Sequence, residues 1–333
     1  MALNLAKWYD ATNQVKYYNE VQEAYKREKE VRPLLKYMKK TSTKNAKYAT
    51  YYTSGTLSAT DYKPTWDRTP GTAASGAIVA ADNIVPAISG IAPENQKDIF
   101  MAHRMSFRKK EVPYWLLEDD TEQTEVDINT TVIHEQIRAL VKAEEFDLLT
   151  MFKNLYNGTL TVWRAQNEED ITPSVIGVPA KNIQGSAATY LDTTANWGSF
   201  RDITVQAESM TDGRFAIITG FAGMSRILNT TKTESRDFYP NGNSVVTGKI
   251  GPQLFGGEIF VYPQFDTVFN VSAGVIPYII VCIGAGAYDR PNGGMKAFYE
   301  LNKQRQSYYF QATNKYNSTI LDETGVFFLN TKY

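Results

Sequence analysis

The chain has 333 residues, enough for one large domain or two ordinary ones, and it is 43% hydrophobic, so a sizeable core can be buried. Its 35 Lys+Arg against 36 Asp+Glu give a net charge of −1, which argues against a protein that grips nucleic acid over its whole surface. The single cysteine, Cys282, excludes an intrachain disulfide. It stands in VIPYIIVCIGAG, among large apolar residues, and reads as a buried structural thiol. The first residues, MALNLAKWYD, reach charge at once and do not read as a secretory signal. The most apolar run, Val275 to Ile283, contains Pro277 and falls short of the ~20 residues a membrane helix needs. These features predict a soluble chain of a reducing cytosol, with no membrane partner.

Two further features of composition matter. Residues 1–50 hold 11 basic and 5 acidic side chains, a net of +6, and the remainder carries −7. A basic N-terminal arm on an acidic body is a real asymmetry. The chain also has 21 Tyr and 16 Phe. Tyrosine suits wide, half-wet contact surfaces, and it is also simply favoured in strands.

Residues 10–40 read as a charged helix with a narrow stripe of Val15, Tyr18, Val21 and Tyr25, interrupted at Pro33. The stretch AKYATYYTSGTLSATDYKP alternates and predicts a polar, protruding hairpin turning at Ser54-Gly55. Residues 77–93 are apolar and helix-prone. FMAHRMSFRKKEVPYWLLEDD reads as an extended ribbon. Its basic cluster Arg108-Lys109-Lys110 and acidic cluster Glu118-Asp119-Asp120 are candidates to pair between strands or between subunits, or to be ordinary surface charge.

The best periodic segment runs from Asp127 to Gly158, with Ile133, Ile137, Leu140, Val141, Leu148, Met151, Phe152 and Leu155 on one face. Gly158 can close it in left-handed geometry. A helix of about 27 residues spans roughly 40 Å and reads as a strut across the molecule. Further on, WGSFRDITVQAESMTDG predicts a second amphipathic helix, RFAIITGFA a buried strand, and AGMSRILN a short helix. VTGKIGPQLFGGEIFVYPQF predicts a hairpin turning at Gly256-Gly257. The strand GVIPYIIVCI follows, and two Phe/Tyr-rich strands, QSYYFQA and GVFFLN, close the chain. Strands and helices mix without a βαβ repeat, which predicts the α+β class.

Positive signs of catalysis are scarce. There are two histidines, His103 and His134, and no H-E-x-x-H spacing, so no metal site is expected. IGAGAYDRPNGG is glycine-rich after a strand, yet it lacks G-x-G-x-x-G and the P-loop spacing. It reads as a loop at a strand end, and no cofactor is expected. The runs Glu144-Glu145 and Glu168-Glu169-Asp170 read as solvated carboxylates. No G-x-S-x-G elbow is present.

The order of arm, extended loop, long helix, ribbon and central domain resembles the major capsid proteins of tailed bacteriophages, whose shell fold encapsulin nanocompartments share. RKKEVPYWLLEDDTEQTEV followed by TVIHEQIRALVKAEEFDLLTMFKNLYNG is similar to that family's peripheral strand running into its spine helix. FAIITGFAGMSRILNTT and VVTGKIGPQLFGGEIFVYPQF resemble its axial-domain strand and glycine-punctuated hairpin. The resemblance implies an N-terminal arm at 1–40, an extended loop at 41–76, and a peripheral domain at 77–170 with its spine helix at 128–156. It further implies an axial domain at 171–300, with returning strands at 301–333. It implies self-assembly into pentamers and hexamers of an icosahedral head, in a virion built in the host cytoplasm, with a scaffold protein and a portal as partners. Candidate contact or turn residues are then Gly55, Arg108, Lys109, Lys110, Glu118, Asp119, Asp120, Gly256 and Gly257. The arm residues Lys26, Arg27, Lys29, Arg32, Lys36, Lys39 and Lys40 would face packaged DNA on the inner surface, by phosphate attraction that weakens with salt. The alternatives are a nanocompartment shell or other phage structural protein, and a soluble enzyme using the GAGAYD loop for a nucleotide.

Overall fold

The structure is a computed structural model. It describes residues 33–39, 43–44, 48–54, 100–117, 128–165, 175–177, 182–211, 214–230, 253–254, 256–290, 295–302 and 307–333. Most of the predicted N-terminal helix, the apolar stretch 77–93 and the acidic cluster at 118–120 lie outside the described residues.

After a 3-10 turn at Pro33–Lys36, the strands β1 (Thr43–Lys44), β2 (Tyr48–Ser54) and β3 (Phe100–Ser106) follow. β1 pairs antiparallel with β2 through Thr43↔Thr50 and Lys44↔Ala49. β2 pairs with β3 from Tyr48↔Ser106 to Ser54↔Phe100. Ser54, the last described residue of β2, thus stands directly opposite Phe100, the first of β3. Gly55 itself lies outside the described residues. β4 (Arg108–Leu117) follows after a break at Phe107, and then the helix α1 (Ile128–Asn157).

α1 is 30 residues long, about 45 Å at 1.5 Å per residue. Its end is set by Gly158, at φ 70. The Gly158 amide donates to the Leu155 carbonyl at 3.0 Å and the Thr159 amide to Asn154 at 2.8 Å, the two bonds of a Schellman cap. Only glycine reaches this φ without strain, which is why the helix stops here.

Beyond α1 come β5 (Val162–Ala165), β6 (Val175–Gly177), β7 (Asn182–Gly185), α2 (Thr194–Thr211), β8 (Phe215–Thr219) and α3 (Phe221–Leu228). The Thr193 hydroxyl caps α2 by accepting from the Asn196 amide at 3.3 Å. Next are β9 (Gln253–Leu254), β10 (Gly257–Val261), α4 (Phe265–Val268), β11 (Val275–Cys282), β12 (Gly286–Asp289), β13 (Met295–Asn302), β14 (Ser307–Ile320) and β15 (Val326–Lys332).

Three sheets result. The first has the order β1-β2-β3-β5-β6, and the second β7-β15-β11-β8-β10-β9. In the third, β14 pairs with β4 along one side and with β12 and β13 in succession along the other. β11 also pairs with β15, from Val275↔Lys332 to Val281↔Val326. The chain from β11 to β13 therefore runs outward and β14–β15 runs back beside it, as one interrupted hairpin joining the second and third sheets.

The core explains the sequence pattern. β8 and all but the first residue of β11 are buried on both faces, which is why they read as unbroken apolar runs. α2 covers the second sheet with Trp197, Phe200, Ile203 and Ala207. The C-terminal half of α1 adds Leu148, Leu149, Met151, Phe152 and Leu155 to the same cluster. Truncating a fully buried phenylalanine such as Phe152 to alanine costs about 3–5 kcal/mol. Cys282 lies in this core, and burial pushes its thiol up to about 11, so it stays protonated and inert.

Candidate assembly surfaces

Three places concentrate polar and aromatic side chains that the core alone does not need. The first is where the N-terminal segment meets the glycine-rich loop after β11. Leu34, Tyr37 and Met38 are buried in the main core. The Gly284 amide donates to the Tyr37 carbonyl at 2.8 Å, the Lys39 amide to Gly286 at 2.8 Å, and the Tyr288 amide to Lys39 at 3.1 Å. A side chain on Gly286 would run into the sulfur of Met38. The loop that the sequence offered as a weak phosphate cradle is therefore filled by this chain's own backbone and by Met38. That packing argues against the nucleotide reading.

Two members of the candidate basic arm, Lys36 and Lys39, lie here. Lys36 reaches Glu258 on β10 at 2.5 Å, and Tyr37 packs edge-on against Phe260 at 5.9 Å. Lys36 is half exposed, so the pair contributes little by itself. Burial, and then the Glu258 carboxylate, push the Tyr37 phenol up to about 12. The other candidates, Lys26, Arg27, Lys29, Arg32 and Lys40, lie outside the described residues.

The second place is under α1, where it crosses β4, β12 and β14. Glu144 is 2% exposed. It accepts from Arg290 Nη2 at 2.5 Å, from Asn314 Nδ2 at 3.0 Å and from the Tyr288 hydroxyl. One turn on, Asp147 accepts from the Tyr316 hydroxyl at 2.7 Å and faces Lys110 at 3.2 Å, with Arg108 at 4.0 Å. Burial, and then Asp147, hold the Tyr316 phenol well above its usual range. Gln136 completes the seam by donating to the Val112 and Phe310 carbonyls at 3.0 and 3.2 Å.

Among the described residues, the basic cluster meets carboxylates of its own chain. Lys110 and Arg108 face Asp147 of the same chain, and Lys109 pairs with Glu111 at 3.1 Å. Glu118, Asp119 and Asp120 lie outside the described residues. The Glu144-Glu145 run is not a solvated face, since both residues are buried. Position 144 falls on the stripe through Ile137, Leu140, Val141 and Leu148, and that placement was the available signal.

The third place is the face of the third sheet away from α1. Trp115 and Tyr309 are cross-strand partners with ring centroids 4.4 Å apart, and Phe298 meets Tyr309 at 6.4 Å. Trp115 and Phe298 are 51% and 50% exposed, an unusual burden for large aromatic rings.

The β9–β10 hairpin corrects the predicted turn. Gly257 pairs with Leu254, so the two-residue loop is 255–256, one position earlier than Gly256-Gly257. Gly256 takes the positive φ of 86. Gly257 is a strand residue, and it must be glycine for another reason: a Cβ there would run into the ring of Phe215 on β8.

With this geometry in hand, comparison with solved structures places the fold. A chain of the cyanophage Pam1 capsid superposes with a TM-score of 0.57 at 11% identity, over 89% of this chain and 88% of that one. A chain of the cyanophage P-SCSP1u capsid gives 0.56 at 12%, over 89% and 86%. One from the capsid of Helicobacter pylori bacteriophage KHP30 gives 0.54 at 6%, over 89% and 88%. The chain has the phage capsid-shell fold. No protein-family model and no curated protein matches the sequence. The fold is thus shared with these chains at sequence identities of 6% to 12%.

Proposed function

We propose that this chain is the shell subunit of a tailed phage, assembling with copies of itself as pentamers and hexamers into an icosahedral head around the genome. The observation that carries this reading is the fit to phage capsid chains over nearly nine-tenths of each chain. The role is mechanical: the buried seam under α1 and the fastened N-terminal segment make a stiff unit that can tile.

On this reading the division into arm, extended loop, peripheral domain, axial domain and returning strands stands as set out from the sequence. The arm lysines and arginines face the packaged DNA, and a scaffold protein and portal take part in assembly. A shell of the nanocompartment type would instead hold an enzyme cargo.

The test is negative-stain electron microscopy of the leading size-exclusion peak, after expression with and without the neighbouring phage genes. Closed shells, tubes or five- and six-fold rings are expected. A protein that stays monomeric under every one of these conditions would overturn the proposal. Deleting residues 1–32, which keeps Leu34, Tyr37 and Met38 in the core, should also lower DNA retention by the particles, more so at low salt than at high salt.

A further inference from the structure

The two outer strands of the third sheet are built differently. β4 carries Pro113 in its middle and the run Arg108-Lys109-Lys110-Glu111, devices that discourage a further strand from pairing. β13, MKAFYELN, has eight residues, no proline and only two charges, Lys296 and Glu300. Among the described residues, β14 is its only strand partner, and the opposite edge of β13 is open. Lys296, Phe298 and Glu300 are exposed on the same face as Tyr309 and Trp115.

Its charges are self-complementary in one arrangement. If a second β13 lies antiparallel and Phe298 faces its own counterpart, Lys296 stands directly opposite the second copy's Glu300, twice over. The in-register parallel arrangement would set Lys296 against Lys296 and Glu300 against Glu300, which is unfavourable. A two-fold contact of this kind uses the same patch on both copies, so one edge satisfies both. It also joins the row Trp115–Tyr309–Phe298 to the matching row of the neighbour, covering rings that are otherwise half exposed.

We propose that β13 pairs antiparallel with β13 of a second copy about a two-fold axis centred on Phe298. The inference rests on the self-assembly reading and names one contact within it. The partner is a second copy because the edge complements itself in charge and in aromatic spacing.

The test uses the full chain with Cys282→Ser as background and Phe298→Cys added, so that position 298 carries the only thiol. Mild oxidation, and separately a short bis-maleimide, should give a covalent dimer on a denaturing gel, and reduction should abolish the disulfide-linked form. Adding Lys296→Glu alone or Glu300→Lys alone should cut the dimer yield several-fold, and the double reversal should restore it. Electron microscopy of the same samples reads assembly separately. Shells without the dimer would overturn this pairing and leave the shell reading standing. The dimer without shells would support the pairing and count against the shell reading. Absence of the dimer with both reagents, or single reversals without effect, overturns the pairing whatever the particles do.

Discussion

Arg290 and Glu144 meet at 2.5 Å between β12 and α1, with 10% and 2% of their side chains exposed. The carboxylate is held by an asparagine and a tyrosine besides, so it is a joint between the long helix and the interrupted hairpin. Removing one partner strands the other's charge in a dry place. Glu144→Ala should therefore cost about 3–5 kcal/mol, read by chemical denaturation. Replacing both, as Glu144→Leu with Arg290→Met, should cost less than the sum of the single changes. Strict additivity would show that the two groups do not act as a pair.

The hairpin gives a second prediction. Gly257→Ala forces a methyl against the Phe215 ring and should cost about 1–3 kcal/mol, and Phe215→Leu should recover part of that loss. Gly256→Ala has open space, its nearest neighbour being a Phe215 atom at 4.0 Å, but keeps the strain of φ 86. It should cost about 1 kcal/mol, with no help from Phe215→Leu. Equal behaviour of the two glycines in thermal denaturation would contradict the one-residue shift of the turn.

Tyr37 predicts an alkaline signature. An unfolded tyrosine ionises near pH 10, whereas here the phenol is pushed up to about 12. Below pH 10 both states keep the proton and the contribution to stability is whole. Between pH 10 and 12 the unfolded chain loses its proton first, so stability falls as pH rises. Tyr37→Phe removes this contribution, and its unfolding midpoint should decline less steeply across that interval than the parent's. The same slope in both proteins would mean that Tyr37 ionises alike when folded and unfolded.

The fastened segment predicts a sharp boundary for truncation. Deleting residues 1–32 leaves Leu34, Tyr37 and Met38 in the core, and the melting temperature should fall far less than when the deletion runs on through Lys39. Deleting through Lys39 empties those places and frees the glycine loop, and should lower the melting temperature by many degrees. A smooth decline with each residue removed would argue that no such boundary exists.

Much of this was legible in the sequence, and the exceptions have physical causes. α1 and its glycine stop, α2, β8 and β11 announce themselves because their apolar residues recur at the period of the element or run unbroken. β14 extends well past the stretch QSYYFQA that marked it. From Asn314 onward its inward face is matched to Glu144 and Asp147, so the apolar alternation ends while the strand continues. The joint itself was hidden because its members come from positions 110, 144, 147, 288, 290, 314 and 316, and only tertiary pairing brings them together. Pro33 read as the interruption of a charged helix. It begins a 3-10 turn that ends in the core, a destination fixed by a loop some 250 residues away.

The interrupted hairpin has a mechanical consequence. Because β11 to β13 run out and β14 to β15 run back side by side, the second and third sheets share one twin-stranded rod. At the break between the two ladders the Leu321 and Asp322 amides both bond the Ala285 carbonyl, and α1 packs across it onto both sheets, so a torque applied at the outer end of β13 and β14 is resisted at the junction. Such a subunit behaves as a stiff plate under load. Curvature of any surface it tiles then has to come from the seams between plates, and the angle at those seams sets the radius.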